Sequence, residues 1–189
     1  AFAFSRDGKW LAFSAGKAEV RQLSLVDLAS EDFAVTGLPK HATPIRDFAF
    51  AEDGGRLFFT SPDRLDKDDV KRKEKKFDVR VADPEQPPVH LWSIDLKDKA
   101  EKRWTEGADF TVAAFQLSLD GRWASYRALP SARRLGDITQ EEASLHLLDL
   151  DSGKAHRVLE RYARFSAFSP DGQWLVYAAP ERFERLRNE

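Results

Sequence analysis

The sequence predicts an all-β chain built from repeated four-stranded antiparallel sheets, and three observations carry that prediction. A segment centred on an Asp-Gly turn recurs four times without a gap. A second strand-like segment, ending in aspartate, follows three of those turns downstream. Around both, apolar and polar residues alternate with the period of a half-buried strand rather than that of a helix.

The turn segments are Phe4–Phe13, Phe50–Phe59, Leu117–Tyr126 and Phe168–Tyr177. Each sets apolar residues on both sides of the turn. In Ser169-Pro170-Asp171-Gly172, proline presets φ at the second turn position and aspartate tolerates the third. Glycine then takes the left-handed conformation. Alternation at Leu11/Phe13 and Leu175/Tyr177 marks the strand that follows, so each segment reads as a hairpin.

The downstream segments, Leu23–Leu28, Leu91–Leu96 and Leu145–Leu150, read as third strands ending at an acidic turn. Fourth strands are expected at Phe33–Val35, Lys102–Trp104 and His156–Leu159. Four antiparallel strands per unit is the make-up of a β-propeller blade. The expectation is a single partial β-propeller domain over residues 1–189, about three and a half blades in extent. Its blades fall approximately at 1–40, 41–108, 109–161 and 162–180, with a charged tail at 181–189 that reads as a short helix or a disordered end. Because known propellers need about four blades to close, the chain reads as a fragment of a longer one. Self-association to complete the ring is the less favoured alternative.

Spacing shows where the units differ. From turn glycine to third-strand aspartate runs 19 residues (Gly8 to Asp27), 41 (Gly54 to Asp95) and 28 (Gly121 to Asp149). From that aspartate to the next turn glycine the spans are 27, 26 and 23. The variation therefore lies in the link between second and third strands. Both enlarged links, roughly Ser61–Val89 and Arg127–Ala143, should leave the same side of the disc, opposite the Asp-Gly turns. Repeat scaffolds usually place binding function on such one-sided insertions.

Composition excludes several classes. Thirty basic against 32 acidic residues give a net charge of −2, without the basic stripe of a nucleic-acid binder. No cysteine is present, which removes disulfides, thiolate chemistry and Cys-based zinc sites. No stretch approaches the ~20 apolar residues of a membrane span, so membrane insertion is not expected. The opening Ala1-Phe2-Ala3-Phe4-Ser5 is strand-like, without a basic or long apolar leader, and reads as a cut end.

The Ser-Pro-Asp-Gly turn followed by Trp174-Leu175-Val176-Tyr177 resembles the WD40-like repeats of TolB-type propellers and of prolyl oligopeptidase-family serine peptidases. In the second unit, Lys71-Arg72-Lys73-Glu74-Lys75-Lys76-Phe77 and then Val89-His90-Leu91-Trp92-Ser93-Ile94-Asp95-Leu96 resemble the insertion and third strand of acylaminoacyl-peptidase and dipeptidyl-peptidase-like enzymes. That resemblance implies a propeller that gates peptide access to an α/β-hydrolase domain of the same parent chain, which carries a Ser-Asp-His triad. The alternative it leaves is a TolB-like protein-binding module without enzymatic activity. With the absence of cysteine, it fits a bacterial protein of cytoplasm or periplasm. The adjacent pair Glu141-Glu142 does not match the surroundings of the dipeptidyl-peptidase glutamates.

None of the ten glycines has serine two positions later, so the Gly-x-Ser-x-Gly nucleophile elbow is absent from these residues and no catalytic residue is assigned. His41, His90, His146 and His156 fall on separate elements without ligand spacing. They read as sheet-face or loop histidines, and neither metal nor cofactor is expected. No Asp-x-Asp-x-Asp-Gly calcium loop occurs. Trp10, Trp123 and Trp174 repeat beside their turns and read as packing between blades. Two sets of site candidates remain. Lys71, Arg72, Lys73, Lys75 and Lys76 in the first long link suit docking against a neighbouring domain, although a solvated basic loop is the plainer reading. Arg127, Arg133 and Arg134, placed in the second link, have forked donors suited to peptide carbonyls and carboxylates, although solvated surface is again the plainer reading.

Overall fold

The computed structural model describes residues 1–65, 87–130 and 142–178. Fourteen strands and one short 3₁₀ turn (Ala18–Val20) make up the described residues. The first sheet holds β1 (Phe2–Phe4), β2 (Trp10–Ala15), β3 (Gln22–Asp27) and β4 (Val35–Gly37). The second holds β5 (Phe48–Phe50), β6 (Arg56–Pro62), β7 (Val89–Asp95) and β8 (Glu101–Arg103). The third holds β9 (Phe110–Leu117), β10 (Trp123–Pro130), β11 (Ser144–Asp149) and β12 (Ala155–Leu159). In the fourth, β13 (Ser166–Phe168) pairs with β14 (Leu175–Tyr177). Every sheet is antiparallel with strands in sequence order. The chain is a partial β-propeller.

The Asp-Gly hairpins share one register: Phe4 faces Leu11, Phe50 faces Leu57, Leu117 faces Ala124 and Phe168 faces Leu175. All four turn glycines are left-handed, with φ of +71°, +66°, +71° and +69° at Gly8, Gly54, Gly121 and Gly172. In three turns a serine hydroxyl completes the closure. Ser5, Ser118 and Ser169 each donate to the turn aspartate and accept the amide of the following tryptophan at 2.8–2.9 Å. The second turn has Ala51 at that position and keeps only the backbone bonds and the Asp53 acceptor.

The acidic end of each third strand also has a structural cause. Asp27, Asp95 and Asp149 each turn a carboxylate back onto amides two or three residues ahead, an Asx turn that leads into the fourth strand. The first of these turns runs longer than the sequence suggests. Ser30 accepts the Ala34 amide and donates to the Asp27 carbonyl, while Phe33 sits at φ +48° in the bend. Residues 33 and 34 are thereby consumed by the turn, and β4 begins at Val35. In the second sheet the fourth strand is Glu101–Arg103, one residue earlier than expected.

The core lies between sheets rather than within them. Ala12, Leu23 and Leu25 of the first sheet meet Leu57, Phe59 and Ile94 of the second. Phe58 and Leu91 of the second meet Val112, Ala124, Tyr126 and Leu148 of the third. Leu145 of the third packs with Ala143 and Ala163, and Leu175 of the fourth lies against them. Neighbours Phe58 and Phe59 thus point to opposite partners, and both are essentially fully buried. That explains why β6 carries consecutive apolar residues at Leu57-Phe58-Phe59 and is buried from Leu57 to Ser61, while the outer strands β4, β8 and β12 are mostly exposed.

Consecutive turns share one side of the molecule. Arg6 pairs with Glu52 of the next turn. A Cβ built at Gly172 would stand 2.8 Å from the Asp120 carboxyl carbon. On the opposite side, the Val89 amide donates to Thr111 Oγ1 (2.8 Å), and the Ala163 amide donates to the Ala143 carbonyl (2.9 Å). The roots of both long links therefore sit on the side away from the turns, each tied to the entry of the next sheet.

The serine latch gives a direct test. Ser118→Ala removes two hydrogen bonds from a buried hydroxyl and should cost about 1–2 kcal/mol without changing the fold, since Ala51 occupies the same position natively. Urea denaturation of the variant against the parent chain measures it. A loss under about 0.3 kcal/mol would mean that the backbone bonds alone close the turn.

Candidate functional site

The described polar groups that meet away from the turns cluster at the link roots, where β6 gives way to β7 and β10 to β11. Asp63, just past β6, receives Arg103 of β8 through both guanidinium nitrogens, at 3.1 Å to Oδ1 and 3.2 Å to Oδ2. Arg103 Nε donates to the Thr105 carbonyl at 2.8 Å, which fixes the fork. His90, the second residue of β7, is wholly buried behind this pair. Its Nδ1 lies 3.1 Å from Thr105 Oγ1, and its Nε2 lies 3.5 Å from Asp63 Oδ2, long for a hydrogen bond. Thr105 Oγ1 also accepts the Leu91 amide at 3.0 Å.

Thr105, His90 and Asp63 thus stand in the order hydroxyl, imidazole, carboxylate. Geometry denies them nucleophilic chemistry. Thr105 is only 4% exposed and its oxygen is committed to the Leu91 amide, so no substrate carbonyl can approach it. The cluster instead fastens the root of the first link to the end of β8. Burial holds the His90 imidazole below the ordinary histidine range, with the Arg103 charge acting in the same direction and Asp63 opposing both.

Rings carry this cluster across to the second root. The His90 edge meets Phe110 at 5.7 Å, and Phe110 stacks on Tyr126 at 6.3 Å and on His146 at 6.4 Å. Tyr126 and His146 stack face to face at 4.8 Å, 9° from parallel. His146 Nε2 lies 3.0 Å from Ser144 Oγ at the start of β11. Burial, and then the Arg157 charge, also lowers the His146 pKa. The result is a continuous aromatic bridge between the two link roots.

Of the expected site residues, only Arg127 falls among the described ones. Arg127 lies not in the link but in β10, facing Ala114 and Leu145, because the strand runs on to Pro130. Its NH1 donates to the Arg164 carbonyl at 2.8 Å, while its Nε is buried without a partner. It lines a small cleft of about 150 Å³ between the third and fourth sheets. Arg133 and Arg134 fall outside the described residues, as do Lys71, Arg72, Lys73, Lys75, Lys76 and Glu141. Among the four histidines, His41 is buried at the first junction, 2.9 Å from Glu101 and edge-on to Phe59 and Trp92. His156 is exposed on β12. Trp10 packs into the first junction, Trp123 is half-buried and Trp174 is exposed. Among the described residues no group of three or more His, Asp or Glu side chains could hold a metal.

Sequence reasoning missed Asp63, Arg103, Thr105 and Phe110. Asp63 and Arg103 are 40 residues apart, and only the β6–β7–β8 register brings them together. A signal was available at Asp63 alone, an acidic residue directly after the strand sequence Thr60-Ser61-Pro62.

No protein-family model matches the chain, and no curated protein sequence matches it. Solved structures do. TolB from Acinetobacter baumannii is 22% identical with a TM-score of 0.60, over 96% of this chain and 37% of its own. The tricorn protease is 14% identical with a TM-score of 0.63, over 90% of this chain and 14% of its own. Acylaminoacyl peptidase from Pyrococcus horikoshii is 14% identical with a TM-score of 0.58, over 96% and 28% respectively. At these identities the likeness shows the fold, a TolB-like, WD40-like β-propeller. The chain spans little more than a third of TolB and less of the two peptidases.

The depressed histidines give a pH test with a definite sign. A neutral imidazole is favoured in the folded chain, so the unfolded chain takes up protons first as pH falls below about 6.5. Stability should therefore be full above that pH and decline as pH falls toward the lowered folded values. Urea denaturation at pH 7.5 and 5.5 should show the loss, and His90→Gln with His146→Gln should flatten it. Equal slopes in the parent chain and the double variant would show that these rings do not control the change.

Proposed function

We propose that this chain is a non-catalytic propeller segment that gates peptide access to the α/β-hydrolase domain of a prolyl oligopeptidase-family serine peptidase. The observation that carries the reading is the one-sided placement of the two long-link roots, joined by the bridge of His90, Phe110, Tyr126 and His146. Two link roots on one side, joined at their base, suit a cap over a cleft, and the fold likeness to acylaminoacyl peptidase supports it. Catalysis in this reading belongs to the hydrolase domain of the parent chain. The blades act as units at about 1–40, 41–108, 109–161 and 162–180. Lys71, Arg72, Lys73, Lys75 and Lys76 dock the hydrolase, and Arg127, Arg133 and Arg134 meet the peptide through their forked donors.

A second reading rests on a different observation. TolB has the highest identity of the three structures, 22%, which favours a protein-binding module with no enzymatic activity.

A fluorophosphonate serine probe applied to the full-length parent protein separates the two. The gating reading expects one serine outside these residues to be labelled, and short acylated peptides to be cleaved while folded proteins are not. It also expects Arg133→Ala with Arg134→Ala to raise KM about fivefold at unchanged kcat. Absence of labelling across pH 6–9 would overturn the gating reading in favour of the binding module.

A further inference from the structure

The junction between the third and fourth sheets is filled differently from the two before it. At the second junction the middle of the interface is filled by Phe58, a fully buried ring. The hairpin alignment puts Ser125 at the equivalent place in the third sheet, where it is buried and meets Ser166 Oγ at 3.1 Å. Two hydroxyls occupy less space than a ring, and both serines line the cleft beside Arg127. Ala12 holds the same place at the first junction, so of the three equivalent residues only Ser125 is polar. A polar residue at an otherwise apolar core position is the kind of local departure that marks functional sites.

The gap is also electrostatically unbalanced. Arg127 spends one nitrogen on the Arg164 carbonyl, and its buried Nε has no partner. Among the described residues, neither Arg127 nor Arg164 pairs with a carboxylate. A guanidinium held between sheets without a counter-charge is costly to leave unmatched, and a carboxylate meeting it from the cleft side, not at the shut-off Nε, is its best complement. Apolar surface from Phe115, Leu145 and Phe165 lines the rest of the cleft.

We propose that this cleft is a carboxylate site, in which Arg127 takes the anionic end of an acyl-amino acid or peptide and Phe115, Leu145 and Phe165 take the adjoining apolar side chain. The proposal extends the peptide role given to Arg127 above, but its physical basis is the cleft alone and needs no hydrolase. A C-terminal carboxylate and an aspartate side chain share this chemistry. The apolar walls favour the former when its last residue is aliphatic.

Titration calorimetry on the full-length protein tests it with N-acetyl-leucine, N-acetyl-leucinamide and N-acetyl-aspartyl-amide as probes. N-acetyl-leucine should bind at least tenfold more tightly than its amide, with affinity falling as salt rises. Stronger binding of the aspartyl-amide than of N-acetyl-leucine would assign the site to acidic side chains within a chain, while keeping the carboxylate. Arg127→Gln should weaken N-acetyl-leucine at least tenfold, and Arg127→Lys less. Ser125→Phe restores the plug found at Phe58 and should abolish binding while circular dichroism stays unchanged. Equal affinity for acid and amide in the unmodified protein would overturn the proposal, and that comparison needs no variant to fold. Serine labelling plays no part in it, so this site and the gating reading fail separately.

Discussion

A four-stranded antiparallel sheet has two faces, and in this chain water is kept from both only by neighbouring sheets. That requirement governs the rest of the structure. Phe58 and Phe59 are adjacent in sequence yet serve different partners, so substitution at either should damage one junction and spare the other. Replacing such a ring by alanine typically costs about 3–5 kcal/mol, a large share of the stability of a domain this size. The hairpins serve the same end. Their common register presents each sheet to the next at a constant height, so the apolar rows meet.

The link side is built on this stacking. Thr111 reaches back to the Val89 amide, and Ala163 to the Ala143 carbonyl, so each root is clamped by the sheet that follows it. Asp63, Arg103 and His90 harden the first root, while Ser144 and His146 harden the second. Buried polar clusters of this kind add little net stability, because desolvation offsets most of the attraction. Their contribution is positional: the base of each excursion is fixed, whatever the excursion itself does.

Much of this was legible in the sequence. The turn glycines and the aspartates closing the third strands each act locally, within a few residues, so their spacing gave them away. The repeated tryptophans misled as a set, because Trp10 packs at the first junction whereas Trp174 is exposed. Strand ends were less legible. Phe33 reads as a strand residue by propensity, yet the Ser30 hydroxyl draws it into a bend. Arg127 reads as the start of the second long link, yet β10 carries pairing through it to Pro130. The His90 cluster and the Ser125 gap were hidden for another reason. Both depend on which residues face each other across strands or sheets, and pairings 40 or more residues apart leave no trace in local pattern.

Asp120 and Gly172 meet closely enough that any side-chain carbon at residue 172 would collide with a carboxylate one repeat earlier, whereas Asp7 and Gly54 leave about an ångström more room. A side chain at residue 172 would have to displace the Asp120 carboxylate, and with it the hydrogen bonds from Ser118 and the Arg122 amide that close the third turn. The identity of one residue in the last hairpin is therefore tied to the closure of the hairpin before it.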